Sequence, residues 1–169
     1  MALAIQFKKN KNGGGSIHFR RSNGSEGYYP IQYHFDTHDL AHFAVENTLQ
    51  FKRAFWGLID EGYKPADFEA PGEKRPLPLR PENLPIESLQ TEFIINQLDA
   101  ERGSPMATED FMRFLKEALS AKGLPFPQTL NAIRLAEMRT HYQDLVTQWL
   151  NVSPGESLNL IFDPTTFHA

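Results

Sequence analysis

Cysteine is absent from the 169 residues, which excludes disulfides and every metal site built on thiolate. A basic surplus is absent as well. Seventeen Lys and Arg stand against 21 Asp and Glu, for a net charge of -4 and a pI near 5.9. Nucleic acid, whose phosphates need a basic surface, is therefore not an expected partner. No apolar run approaches the roughly 18 residues of a membrane span, and Met1–Lys9 lacks the apolar stretch of a signal peptide. The expected setting is the cytoplasm, without membrane association. There is no GxSxG, no Ser/His/Asp ordering and no dinucleotide fingerprint, and the Lys8–Gly15 turn lacks the GK[ST] ending of a phosphate loop.

What is present suffices for a real core: 40% hydrophobic residues, including 13 Phe and 2 Trp, enough for one domain over 1–169. Residues 1–35 read as a β-meander. Leu3, Ile5 and Phe7 alternate with smaller or polar residues, as do Ile17 and Phe19. Tyr28–Phe35 gives a third strand with Tyr29, Ile31, Tyr33 and Phe35 on one face. Asn23-Gly24 marks the second turn. A central helix is expected over 36–62, from about Thr37 to Glu61, with Asp36 or Thr37 as cap and Gly62 as stop. Residues 63–85 hold six of the 12 prolines and are expected to be extended. Three helices follow within 86–151, near 86–101, 108–122 and 128–151. A strand at 157–162 could return to the N-terminal sheet. The fold class is α+β: a small antiparallel sheet of three N-terminal strands plus a C-terminal one, packed on about four helices.

The densest chemistry lies at the start of the central helix. His38 and His42 are four residues apart and project from one side, the spacing by which two imidazoles chelate one ion in HExxH sites. Asp39 follows the first histidine, Glu46 continues the line, and His34 lies just upstream. These five residues are the candidate ligands for a divalent metal such as zinc, iron or manganese. Glu46 is about 12 Å along the axis from His38, too far for easy sharing of one ion. A further ligand must come from His34, Glu61, His141 or Asp144. The competing reading makes His42, Asp39, Glu46, Gln50 and Arg53 the solvated polar strip of an otherwise apolar helix, with His38 as a cap.

Two resemblances bear on these residues. The hairpin with its Asn-Gly turn, the segment HDLAHFAVE and the run ending FWGLIDEG resemble an uncharacterised group of small bacterial proteins with an HDLxHxxVE signature, over most of residues 1–62. His38-Asp39-Leu40-Ala41-His42 is similar to the HDxxH zinc motif of a coenzyme-Q biosynthesis family. That resemblance implies zinc held by His38, Asp39 and His42, with a Glu about three turns further on. The Glu position falls here on Ala54, which offers no donor.

Arg75–Pro81 fits a polyproline-II ligand, but an ordered arm with Leu77, Leu79 and Leu84 tucked against the helices is the stronger expectation. Two functions follow. The favoured one is a small interaction or binding module without catalysis, acting through a surface, with a homodimer or protein partner at a sheet edge or helix face as the candidate assembly. The alternative is a divalent-metal-binding protein or metal-dependent hydrolase built on His38 and His42.

Overall fold

The computed structural model describes residues 2–31 and 36–165. Four antiparallel strands form one sheet in the order β3-β2-β1-β4: β1 Leu3–Lys9, β2 Gly15–Arg20, β3 Glu26–Ile31 and β4 Ser157–Phe162. Period-two alternation sets the register. Ile5 stands opposite Phe19 and Leu160, and Phe7 opposite Ile17 and Leu158, so one face is apolar and the other polar. The C-terminal strand does return, pairing with β1 from Leu3 to Lys8. Pro30 lies in β3, an edge strand, where its missing N–H costs no ladder bond. Gln32, Tyr33, His34 and Phe35 lie outside the described residues.

The helices are α1 Asp36–Leu49, α2 Phe55–Glu61, α3 Pro65–Glu69, α4 Ile86–Ala100, α5 Thr108–Ala121 and α6 Ala132–Asn151. α1 divides the interior. Leu40, Phe43 and Ala44 join Phe7, Trp56 and Trp149 beneath the sheet. Ala41, Val45 and Leu49 face a second cluster with Ile94, Leu98, Phe111, Leu115 and Met138 of α4, α5 and α6. Together with Alternating burial in the strands, this makes the chain α+β with the helices stacked on one side of the sheet.

The expected central helix over 36–62 is in fact two helices. α1 stops at Leu49, and Gln50 takes a positive φ of 58°. The amide of Phe51 then bonds the Glu46 carbonyl at 2.9 Å, a left-handed helix stop of the kind glycine usually makes. The following turn is pinned from outside: the amides of Lys52 and Arg53 donate to the Glu87 carboxylate at 2.8 and 2.6 Å. It also folds so close to α2 that a Cβ on Gly57 would sit 1.9 Å from the Lys52 carbonyl oxygen. Glycine is obligatory there.

The proline-rich arm is not extended throughout. It contains α3, with proline at its first position and the Lys64 amide donating to Asp67 at 2.7 Å, and single 3-10 turns at Gly72–Lys74 and Leu77–Leu79. Leu79 is buried and Leu84 half-buried, whereas Leu77 is 61% exposed. α6 starts at Ala132 rather than 128, because Asn131 caps it by accepting from the Arg134 amide at 2.9 Å. Among the described residues no helix is long and apolar enough to cross a membrane.

Candidate metal centre

His38, Asp39, His42 and Glu46 all lie on α1. The polar strip they form is not solvated: His42 is 5% and Glu46 0% exposed. It is covered by α2 on one side and α4 on the other. The break between α1 and α2 explains why. Doubling back carries Phe55 and Trp56 over the last turns of α1, and their amides donate to the two oxygens of the Glu46 carboxylate at 3.0 and 2.9 Å. Glu46 thereby satisfies two amides that the first turn of α2 leaves unpaired. Ala54, at the cap position, makes no side-chain bond.

The remaining bond to Glu46 comes from His42, whose Nδ1 lies 2.9 Å from its Oε1. Both amides and the imidazole are donors to this carboxylate, so the Nδ1–H tautomer is the one the network selects. The Nε2 of His42 is turned the other way. It lies 3.2 Å from His38 Nε2 and 3.1 Å from Glu92 Oε1, the latter delivered by α4. One donor atom from each of His38, His42 and Glu92 lies within 4.8 Å of the others, so this group could hold a metal ion.

One feature of the geometry suits a cation. Donors bonded at 2.0–2.1 Å stand about 3.3 Å apart around a tetrahedral ion and about 3.0 Å apart at the adjacent corners of an octahedron. The separations of 3.2 and 3.1 Å from His42 Nε2 fall in that range, while all three atoms lie within 4.8 Å of one another, so His38 and Glu92 would draw together around an ion.

Burial opposes charge on His42, but the hydrogen bonds to Glu46 and Glu92, and then their charges, outweigh it and raise its pKa to about 10. For His38, burial and the neighbouring His42 charge lower the pKa from the ordinary histidine value, against opposing pulls from Glu92 and Asp99. Burial also works against ionised Glu92. The His42 hydrogen bond and the charges of His42 and His38 prevail, and its pKa is lowered. Burial raises that of Glu46, opposed by His42 and the two amides.

The other candidates separate from this group. Asp39 accepts a hydrogen bond from the Tyr29 hydroxyl at 3.2 Å, and its backbone carbonyl accepts from Trp56 Nε1 at 3.3 Å. Glu46 acts on the far side of the His42 ring, so its distance from His38 does not matter. His34 lies outside the described residues. Glu61 pairs with Arg53 at 3.0 Å. His141 and Asp144 line a different and larger cavity, about 730 Å³, beside Phe43 and Asn47. That cavity is not among the groups of metal-type donors found in the described residues. The third metal-type donor brought beside His38 and His42 is instead Glu92. Nothing near it in sequence marks it: it is one of the polar residues of a helix whose buried positions are Gln90, Thr91, Ile94, Ile95 and Leu98.

The donor group opens on a cleft of about 400 Å³ walled by Tyr29, Phe55, Pro65 and Phe68. The far ring nitrogen of His42 is held by a buried carboxylate and the near one faces the cleft, the arrangement by which carboxylates orient metal-binding histidines. No family model, no curated protein and no solved structure matches this chain.

Proposed function

We propose that this protein binds one divalent transition-metal ion through His38, His42 and Glu92 and presents it to the adjoining cleft. The observation that supports the reading is the placement of His38 Nε2 at 3.2 Å and Glu92 Oε1 at 3.1 Å from His42 Nε2, with all three atoms within 4.8 Å of one another. Two histidines and one carboxylate suit zinc, iron(II) or manganese(II). Three protein donors leave coordination positions for water or a substrate oxygen, so the ion would supply Lewis-acid chemistry, with hydrolysis as the first class to screen. The residues themselves divide the work. His38, His42 and Glu92 bind; Glu46 orients His42 and fixes its tautomer.

The test is elemental analysis of the purified, untagged protein after incubation with each metal and gel filtration, repeated for His38→Ala and Glu92→Gln with folding checked by circular dichroism. About one ion per chain is expected, lost or strongly weakened in both folded variants. A native protein that cannot be loaded would overturn the reading and return the function to a protein-binding surface.

A further inference from the structure

The walls of the cleft say what the ion would be presented to, an inference that rests on the metal-binding reading above. Phe55 and Phe68 pack at 5.1 Å between ring centroids with their planes at 52°, and Phe55 meets the His42 ring at 5.2 Å. Tyr29 and Pro65 continue the apolar lining, and the Tyr29 hydroxyl is engaged by Asp39. Phe68 belongs to α3, so the proline-rich arm builds one wall of the cleft. The charged residues of the lining are all acidic apart from the two histidines: Asp39, Glu69 and Glu92, with no Lys or Arg among the described lining residues. These three carboxylates outnumber the two positive charges of a divalent ion by one. A phosphate or carboxylate substrate would meet a negative surface with no guanidinium or ammonium to receive it, in a cleft whose low-dielectric walls strengthen the repulsion.

We propose that the cleft takes a neutral, largely apolar small molecule, an aromatic or branched aliphatic body carrying one uncharged oxygen or nitrogen donor, and rejects phosphate and carboxylate ligands. The volume of about 400 Å³ lies within the range of small-molecule sites.

Cobalt(II) provides a readout independent of turnover, because its visible absorption changes when a ligand enters the coordination sphere. The Co(II)-loaded protein is titrated with imidazole, 4-phenylimidazole and inorganic phosphate. The added phenyl ring is expected to lower the half-saturating concentration at least about tenfold relative to imidazole, through burial against Phe55 and Phe68. Phosphate at about 10 mM, far above the range a cationic phosphate site requires, is expected to leave the spectrum unchanged. In Phe68→Ala the phenyl advantage should fall at least about threefold. Equal half-saturation by the two imidazoles, or a spectral response to phosphate at or below the imidazole concentration, would overturn the ligand assignment alone. Failure to take up cobalt would overturn the metal reading and the ligand assignment with it.

Discussion

Glu46 and Glu92 both contact His42, and their substitution should produce opposite phenotypes. Glu46 is 0% exposed and accepts from His42 Nδ1 and from the amides of Phe55 and Trp56. In Glu46→Gln only one oxygen remains, and the new amide group must point an N–H at one of these donors. Removing one member of a buried charged network costs about 3–5 kcal/mol. For a chain of this length each kcal/mol is worth roughly 2–4 °C, so Tm should fall by about 6–20 °C. The Glu92 side chain is 50% exposed and caps nothing. Glu92→Gln should cost about 1 kcal/mol or less, lowering Tm by under about 4 °C while abolishing stoichiometric metal binding. Thermal melts followed by circular dichroism, in chelator at pH 7.5, separate the two. If Glu46→Gln melts no lower than Glu92→Gln, the account of the α1–α2 junction is wrong.

Three further outcomes follow from the same geometry. Gly57→Ala would put a methyl 1.9 Å from the Lys52 carbonyl oxygen; a loss of more than about 3 kcal/mol is expected by urea unfolding, and a near-neutral effect would contradict the tight turn. Gln50→Gly relieves a positive φ of 58° at the end of α1 and should stabilise by up to about 1 kcal/mol in the same assay, whereas a marked loss would assign the Gln50 side chain a role of its own. The pKa of His42 is raised to about 10, so the ion-free protein keeps its second ring proton at neutral pH, while that of His38 is lowered and adds none. Metal must displace that one proton, so affinity should rise about tenfold per pH unit between roughly pH 7 and 9. Calorimetry in two buffers of different ionisation enthalpy reads the released proton directly, and a flat profile would contradict the protonation scheme.

The strands and the later helices were legible because their patterns are local. Leu3, Ile5 and Phe7 alternate and are buried, and of the helically spaced stripe Leu135, Met138, Tyr142, Leu145, Val146 and Trp149 in α6 four are buried, with Tyr142 and Val146 half-buried. The break after Leu49 was not legible, since Gln50–Ala54 contains neither glycine nor proline. It is imposed by distant partners, the carboxylates of Glu46 and Glu87. That one break turns Glu46 from a solvated residue into a buried anchor for α2 and His42. Within the candidate site, the His38/His42 pair was readable from helical spacing. Glu92 was not, because its approach depends on how α4 packs across α1.

The claim that His38, His42 and Glu92 form one metal centre is tested most directly by anomalous diffraction from crystals of the zinc-loaded protein. The account requires a single strong peak at about 2.0–2.2 Å from His38 Nε2, His42 Nε2 and a Glu92 oxygen, with Glu46 still on His42 Nδ1. Zinc bound elsewhere, or no peak at this group in crystals that hold zinc at other sites, would contradict it.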